Sequence, residues 1–307
     1  DDNDQTYLLL LLSDSNLPTG SFVASSGFES YIKHGFGGAR DDDDVVVDRT
    51  TSFMSDSISA YARSALPFVS DVHRVVRGVT TGESSNSERY LQKIQDLDDL
   101  YDVMTLNHVT KRASKSQGVA LLTLYSKGFS ESPYSSTSPS MSTSTSTSTS
   151  STSTSSTSTS TSPSTLPSLV TNYKTLVRAK RAPGHLPICW GILTGVLGLS
   201  LERSLYLHIF LHARSLLSAS VRLNEIGPYN AQQLLLHVSR GIIKTEVGRC
   251  MNLRTGVNLR TAVDLRTGNP HSEDPGYPHS EGPANTWPLG EILAARHDLQ
   301  HSRIFNS

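Results

Sequence analysis

The longest run of helical periodicity in the chain begins after Ser200, which is a suitable N-cap residue. Glu202 places an acid in the first turn, where the helix dipole favours it, and a Gly-Pro pair at 227–228 ends the segment. Fourteen of the residues from 201 to 226 are apolar and only five are charged. Because a helix that is apolar on nearly all sides is a buried one, this segment is predicted to be the central helix of a helical domain.

One narrow arc of that helix is polar. At 100° per residue, Arg203, Arg214 and Arg222 fall within roughly 100° of one another, and Ser218 lies between them. Arginine is enriched at protein interfaces, so this arginine stripe is a candidate partner-binding surface. A plain solvated helix face is the alternative interpretation.

Apolar spacing predicts further helices along the chain and no convincing strand. The predicted segments are 7–12, 22–34, 45–66, 67–77, 91–104, 106–125, 166–180, 185–198, 229–251 and 288–307. Pro67 is expected to end one helix and open the next. The predicted fold class is all-α, with a single globular helical-bundle domain of about eight to ten helices.

The segment at 186–201 carries no charge and contains Gly191, Gly195 and Gly198. Its length falls short of the ~20 residues that span a bilayer, so a buried helix is the preferred interpretation and a membrane attachment the alternative. The glycine spacing does not fit a dinucleotide-binding loop, because no strand precedes it. Small residues that let neighbouring helices approach closely are the better explanation.

Two low-complexity insertions interrupt the helical pattern. A tract made almost entirely of Ser and Thr cannot bury apolar area and is expected to be disordered. A second region repeats Leu-Arg-Thr at 253, 259 and 265, with too few copies for a solenoid. The predicted parts are a first half of the helical domain at 1–130, the Ser/Thr insertion at 131–165, the second half of the domain at 166–251, the repeat insertion at 252–286 and a C-terminal partner-binding tail at 287–307.

Composition narrows the function classes. The formal net charge is −1 and the isoelectric point is about 6.9, so no electrostatic footprint for nucleic acid or anionic lipid is present. Two cysteines are too few for a disulfide framework, which favours a reducing compartment. The basic group at Lys111, Arg112 and Lys115 is predicted to be a solvated helix face, and binding to a specific acidic partner is the alternative.

Catalytic and metal-binding motifs are sparse. The sequence contains no phosphate-binding loop, nucleophile elbow, HExxH or CxxC pattern. His208 and His212 sit among Leu and Phe and are predicted to be satisfied core histidines. His297 and His301, near Asp298, are weak metal candidates, since a stable site requires a third ligand. A binding protein is predicted rather than an enzyme, and the alternative is a helical enzyme or metal-binding protein with an unrecognised site.

The turn-rich run at 13–21, Ser-Asp-Ser-Asn-Leu-Pro-Thr-Gly-Ser, indicates an ordered loop. Loops held in place by a scaffold commonly carry binding residues, although a plain helix connector is the alternative. The candidate partner-binding residues in and beside this loop are Ser13, Asp14, Leu17, Pro18, Gly20, Phe22, Ser25 and Glu29.

The C-terminal segment carries Arg296, His297, Arg303 and Phe305. A terminal peptide with apolar anchors and arginines can become ordered on a partner. Partner binding is therefore predicted for this segment, and docking on the chain's own core is the alternative.

Three sequence blocks resemble the urease accessory protein UreF family and appear in the family's order. They are Leu9–Glu29, Leu106–Leu121 and Gly198–Leu235, and the closing residues 295–307 resemble that family's ending as well. The Ser/Thr tract and the 252–286 repeats lie outside the family pattern and suggest a eukaryotic version, with fungi as the suggested source. His301 stands where the family more usually has an aromatic residue, which further weakens it as a metal ligand.

The resemblance implies a cytosolic, all-helical, homodimeric scaffold that acts in nickel insertion into urease. It implies assembly with a UreD/UreH-type partner and the GTPase UreG on apo-urease. It also implies an influence on GTP-dependent nickel delivery, without chemistry of its own. Nickel is then an ion that the complex transports, and no cofactor is expected to be bound stably.

Overall fold

Helices make up the regular secondary structure of this protein. The computed structural model describes residues 2–36, 42–81, 87–129, 165–257 and 282–307, and those residues contain no strand. The all-α prediction is confirmed. The helices are α1 (Asp2–Leu12), α2 (Phe28–Tyr31), α3 (Asp43–Thr81), α4 (Ser87–Met104), α5 (His108–Leu124), α6 (Thr165–Arg178), α7 (Leu186–Val196), α8 (Leu201–Arg222), α9 (Pro228–Gln233), α10 (Ser239–Cys250) and α11 (Pro288–Ala295).

Short turns of other helical types extend several of these helices. Single 3₁₀ turns occur at Ser21–Val23 and Arg296–Leu299. π turns occur at Ile32–Phe36, Tyr125–Phe129 and Leu234–Val238, and the last of these joins α9 to α10. The Ser/Thr tract and the second and third Leu-Arg-Thr copies lie outside the described residues.

Helix α3 differs from the prediction at Pro67. The sequence predicts two helices that meet at this proline, whereas the structure has one helix of 39 residues with Pro67 inside it. Proline removes one backbone donor and crowds the preceding turn, which disfavours a continuous helix. Leu66, Phe68 and Val69 beside it are completely buried, so packing on both sides of Pro67 outweighs that local cost.

Helix α7 lies in the core, with every residue from 187 to 195 buried. It packs along α3, and two of its glycines permit the contact. A β-carbon at Gly191 would lie 3.0 Å from the Val69 carbonyl oxygen, and one at Gly195 would lie 2.9 Å from Cγ1 of Val76. The prediction of close helix approach is confirmed for Gly191 and Gly195 but not for Gly198, which follows the helix with a φ of +80° and has no atom nearer than 4.0 Å to a β-carbon.

Helix α5 reaches the beginning of α7 at Gly118. A β-carbon there would overlap the carbonyl oxygen of Gly184 and lie 3.0 Å from Sγ of Cys189. The loop before α7 is held in turn by Asp98 of α4, whose buried carboxylate accepts hydrogen bonds from the Tyr173 hydroxyl at 2.6 Å and from two backbone N–H groups. This attachment of α4 to α6 and α7 was not predicted from the sequence.

Helix α8 has the predicted start and role, but it ends at Arg222, before the predicted Gly-Pro stop, because Asn224 has a left-handed φ of +59°. The Ser200 hydroxyl accepts a hydrogen bond from the Arg203 N–H at 3.4 Å, and ten residues of the helix are buried. Among the described residues, no helix combines the length and hydropathy needed to cross a bilayer, including the segment for which membrane attachment was the alternative.

Several other predicted bounds need correction. Helix α1 begins at Asp2, five residues before the predicted start. The helix expected over 22–34 is divided into a 3₁₀ turn, α2 and a π turn. The helix expected over 288–307 ends with the 3₁₀ turn at Leu299, because Gln300 has extended backbone. In each case the residues near the boundary are mostly polar, so the spacing of apolar residues could not indicate where the helix begins or ends.

We expect Gly118→Ala to lower the free energy of unfolding by about 1–3 kcal/mol or more, because the added methyl group must push α5 away from the loop before α7. Urea unfolding monitored by circular dichroism measures the change. Gly241→Ala is the matched control, since nothing lies within 4 Å of a β-carbon at this helical position. That control should raise the free energy of unfolding by about 0.5–1 kcal/mol. Equal effects of the two variants would contradict the close-approach argument.

Candidate functional site

The three surfaces predicted from the sequence meet in one place. The first loop, residues 13–23, lies along α8, and residues 296–307 pack beside both. We call the exposed part of this junction the terminal surface, defined by Phe22, Val23, Arg222, Arg303 and Ile304. The sequence predicts these segments as separate candidates, because the contacts between them join residues about 200 or more positions apart.

The arginine stripe of α8 holds the N-terminal segment at three points. Nη2 of Arg203 lies 2.5 Å from a carboxylate oxygen of Asp2. Arg214 donates to the carbonyl of Ser13, and Arg222 donates to the carbonyl of Phe22. The stripe is therefore neither a plain solvated face nor a free binding surface along its length, because its guanidinium groups are used to fix α1 and the first loop.

Arg222 also connects the two ends of the chain. Its guanidinium carbon lies 3.9 Å from the ring centroid of Phe22 and 4.3 Å from that of Phe305. Such cation–π contacts attract the guanidinium group to the ring faces. Nε of Arg222 donates to the carbonyl of Ser218 at 3.2 Å, and Ser218 itself stays exposed.

The first loop has the ordered turn geometry that its sequence predicts. A carboxylate oxygen of Asp14 accepts a hydrogen bond from the Asn16 N–H at 2.9 Å, which closes an Asx turn. Leu17 packs against the core, whereas Pro18 is exposed. Gly20 has a φ of +72°, a left-handed conformation that favours glycine at the start of the 3₁₀ turn.

Glu29 attaches the C-terminal segment to α2. Its buried carboxylate accepts hydrogen bonds from the backbone N–H groups of Ile304 at 2.7 Å and Phe305 at 3.1 Å, and it pairs with Nζ of Lys33 at 2.9 Å. Burial alone would raise the pKa of this carboxyl group. The hydrogen bonds and the Lys33 charge outweigh burial, so the pKa of Glu29 lies below its ordinary value.

The last residues bind back to the first loop. The N–H and the hydroxyl of Ser25 both donate to the Ser307 carbonyl, at 2.6 and 3.1 Å, and the Asn306 N–H donates to the Val23 carbonyl at 2.8 Å. Nε2 of the buried His297 donates to the Phe305 carbonyl at 3.1 Å. The C-terminal segment thus docks on the chain's own core, which was the alternative interpretation.

Phe305 was predicted to be a partner anchor, but its side chain is only 2% exposed. Its ring lies under Arg222, where burial is more favourable than exposure to water. The apolar side chains left exposed at this junction are Phe22 at 67%, Val23 at 42% and Ile304 at 61%. Arg296 is exposed elsewhere on the segment, with its Nε 3.3 Å from Nε2 of His34.

Two arginine side chains and one histidine side chain contact the carboxylate of Asp298 beside the terminal surface. Arg112 pairs with both of its carboxylate oxygens, at 3.0 and 2.9 Å, and Arg303 pairs with one at 2.7 Å. Nε2 of His108 lies 3.2 Å from the other oxygen. The Arg112 hydrogen bonds and charge hold the pKa of Asp298 well below its usual range.

The basic group of α5 was predicted to be a solvated face, and this needs correction. Lys111 and Lys115 pair with Asp102 at 3.0 and 2.6 Å, while Arg112 pairs with Asp298. The acidic partners are within the chain. No local signal could reveal the second pair, because its members are 186 positions apart.

A cleft of about 730 Å³ opens between α5 and the C-terminal segment. Arg112, Gln117, Arg303 and Asn306 contribute to its lining, and Val23 of the terminal surface lies at its side. Polar and cationic side chains next to exposed apolar ones are the composition expected at the rim of a protein interface.

The weak metal candidates lack the geometry assumed for them. His297 and His301 would share a helix face only if the helix continued, but the 3₁₀ turn ends at Leu299. His297 is buried and hydrogen-bonded, whereas His301 is exposed. Across the described ranges, no cluster of three or more His, Cys, Asp and Glu side chains is arranged to hold a metal ion.

Of the other histidine pair, His208 is buried in the core, as predicted, whereas His212 is half-buried. Nε2 of His208 lies 3.0 Å from the Tyr61 hydroxyl, and Nε2 of His212 lies 3.0 Å from the Ser57 hydroxyl. Burial lowers the pKa of His208 to about 3 and that of His212 to about 4. Both histidines line a cavity of about 230 Å³ between the first loop, α3 and α8.

Comparison with known proteins gives consistent matches. A family model described as UreF matches residues 48–239. Urease accessory protein 6 of Cryptococcus neoformans is 40% identical over 99% of this chain and 97% of that protein. An uncharacterized urease accessory protein UreF-like of Schizosaccharomyces pombe is 27% identical over 100% of this chain and 99% of that protein. Urease accessory protein F of Arabidopsis thaliana is 25% identical over 80% of this chain and 79% of that protein.

We expect Glu29→Gln to release residues 302–307 from the first loop. Glutamine keeps the shape of the side chain but loses its charge. The glutamine NH₂ group is itself a donor, so it would face at least one of the groups that now donate to Glu29, which are the Ile304 N–H, the Phe305 N–H and the Lys33 ammonium group. Hydrogen exchange measured by mass spectrometry should show amides at 304 and 305 exchanging at least about tenfold faster. Glu88→Gln, at an exposed acid in the first turn of α4, should leave this exchange unchanged. Unaltered protection in Glu29→Gln would refute the attachment.

The buried histidines predict a pH dependence of stability. Burial lowers the pKa of His185 to about 4 and that of His208 to about 3, both below the value of about 6.5 in an unfolded chain. The unfolded chain therefore takes up protons first, and stability present above pH 6.5 is lost as the pH falls toward 4. Each histidine contributes a slope of up to about 1.4 kcal/mol per pH unit.

Urea unfolding across this pH range measures the slope. His208→Gln should reduce the slope of the free energy of unfolding against pH by the contribution of one histidine. His237→Gln, at an exposed histidine of the third π turn, should leave the slope unchanged. A slope that is the same in all three proteins would contradict the assignment.

Proposed function

Since the chain belongs to the UreF family and is thus a urease accessory protein, we propose that it acts as a non-catalytic scaffold for nickel delivery to apo-urease. The family is a non-enzymatic one, so the prediction that the chain is not an enzyme is confirmed. The observation that carries the proposal is the match to the Cryptococcus accessory protein over nearly the whole of both chains.

The proposed complex contains a UreD/UreH-type accessory protein and the GTPase UreG, which this chain brings together on apo-urease. In this proposal the chain modulates GTP-dependent assembly of the metal centre, acts as a homodimer and resides in the cytoplasm. Nickel is cargo of the complex, and no cofactor is bound stably by this chain. The urease accessory names of relatives from fungi, bacteria and plants support a role that depends on the other urease accessory proteins.

The terminal surface is the proposed contact for the UreD/UreH-type partner. Phe22, Val23 and Ile304 present apolar side chains, and Arg222 and Arg303 lie around them. Interfaces combine such an apolar centre with a polar margin, and aromatic and arginine residues contribute most of the binding energy.

The terminal surface is also rigidly supported. The backbone on either side of Ile304 is fixed by Glu29, and the backbone of Phe22 is fixed by Arg222. A surface ordered before binding loses less conformational entropy on association than a free peptide does. The earlier expectation that the C-terminal segment orders on its partner is therefore replaced by a proposal that it presents a preformed surface.

A mixing experiment on a sizing column tests the scaffold role. We expect co-elution of this protein with its UreD/UreH-type partner, and we expect UreG to join only when both are present. Phe22→Asp with Ile304→Asp should weaken binding to the UreD/UreH-type partner at least about tenfold, because two exposed apolar contacts are replaced by charges.

Leu236→Asp is the matched control, since it places the same charge at an exposed leucine on the third π turn. Circular dichroism should show that all variants keep the wild-type helix content. Equal binding by the double variant and the wild-type protein would exclude the terminal surface as the contact. Separate elution of all three proteins at low and moderate salt would overturn the scaffold role.

A further inference from the structure

Five cationic side chains lie on and beside helix α6. Lys174 and Arg178 are one turn apart on the helix, and Lys180 and Arg181 follow directly after its end. Lys127 belongs to the π turn that extends α5, and Nζ of Lys174 donates to the hydroxyl of the serine before it at 2.8 Å. Lys174 is half-buried and the other four are exposed. We call this group the α6 cationic surface, defined by Lys127, Lys174, Arg178, Lys180 and Arg181.

These cations are not neutralised by acids of the described chain. Burial lowers the pKa of Lys174, and the charges of Arg178 and Lys127 lower it further, so the neighbouring charges that act on it are both cationic. Within the ranges that the structure describes, none of the four exposed members forms an ion pair with an acid. The 35 residues from 130 to 164, which follow α5 and its π turn in the sequence, contain a single acid, Glu131. The chain therefore offers this surface little counter-charge of its own.

Lys180 occupies a position that usually belongs to glycine. Its φ is +57°, in the left-handed region. The Lys180 N–H donates to the Val177 carbonyl at 3.1 Å and the Arg181 N–H to the Leu176 carbonyl at 2.9 Å, which is the Schellman pattern of a helix end. A β-carbon makes this conformation unfavourable, and Arg178 already places a cation in the last turn for the helix dipole. A lysine here adds charge at a cost in stability, which is typical of a functional position.

The surroundings of the α6 cationic surface restrict the chemistry of its partner. No large apolar side chain is exposed at 120–129 or 165–185. Surfaces that insert into a lipid bilayer present such side chains beside their cations. Domains that bind nucleic acid are strongly basic, whereas this chain has a formal net charge of −1. A protein segment with clustered Asp and Glu side chains matches a small, purely polar group of cations.

We propose that the α6 cationic surface binds an acidic segment of a partner protein. Each arginine can donate two parallel hydrogen bonds to one carboxylate, while the lysines act as single positive charges. The contact shares no residue with the terminal surface, so the chain can bind a second protein while the first occupies that surface. Such contacts between exposed charges speed association and weaken as salt is added.

Fluorescence anisotropy of a dye-labelled decamer of glutamate, titrated with the full chain, tests the contact. We expect binding at about 50 mM salt that weakens about tenfold at about 200 mM, because salt screens exposed charges. A decamer of alternating glutamate and lysine is the matched probe and should not bind. Arg178→Glu with Lys180→Glu should weaken binding of the glutamate decamer at least about tenfold, since two attractive charges become repulsive.

Arg240→Glu with Lys244→Glu is the matched control, because it changes the net charge by the same amount at two exposed cations of α10. It should alter binding by no more than about threefold. Circular dichroism should show wild-type helix content in both double variants. The proposal is overturned if the glutamate decamer does not bind at low salt, or if the two double variants weaken binding equally.

Lys180→Gly separates the charge of this residue from its backbone strain. Glycine relieves the left-handed conformation, so the midpoint of thermal unfolding should rise by about 2–4 °C. Loss of one of the five cations should weaken binding of the glutamate decamer about threefold. A variant that is more stable yet binds the decamer as well as the wild-type protein would contradict the part assigned to Lys180. Tighter binding of a ten-nucleotide RNA or of phosphatidylserine vesicles than of the decamer would overturn an acidic protein as the partner.

Discussion

Helices satisfy most of their backbone hydrogen bonds internally, so an all-α protein needs another means of attaching its loops and ends. Three buried carboxylates provide it here. Asp98 accepts from the backbone before α7, Glu29 from the C-terminal segment, and Asp71 from the turn after α10. Each acid lies on a helix, and each accepts at least one backbone N–H from a part of the chain more than 80 positions away. The path of the chain between helices depends on these contacts.

The helical elements could be predicted from the sequence because their signals are local. Helix α8 followed from its Ser cap and apolar surroundings, and the close approach of α7 followed from its glycines. Pro67 shows the limit of local rules, since the proline predicts a break that burial of Leu66 and Phe68 prevents. The energies that decide such cases come from packing with distant elements, which no window of sequence contains.

In the candidate site, too, local signals could be predicted from the sequence, and contacts between distant segments could not. The sequence identified Arg214, Arg222, Glu29 and the first loop as exceptional, and the structure uses them together. Their roles differ from the expected ones, because arginines and apolar anchors have the same sequence pattern whether they bind a partner or another part of the same chain. The sequence around Phe305 predicts an exposed anchor, since nothing near it in sequence indicates the guanidinium group of Arg222 that covers it. Ile304 beside it is the exposed apolar residue of the pair, and no local sequence signal distinguishes the two.

The hydrogen bonds between Ser25 and Ser307 span 282 positions of the sequence. During synthesis the first loop leaves the ribosome long before residues 304–307 exist, so Glu29 lacks its two backbone donors until those residues have been added. Contacts with such a large sequence separation form late and make folding slower. A ribosome-bound or prematurely terminated chain could build α3, α7 and α8 yet lack the terminal surface. Interaction through that surface would then require residues 304–307, which are synthesised after every helix of the fold.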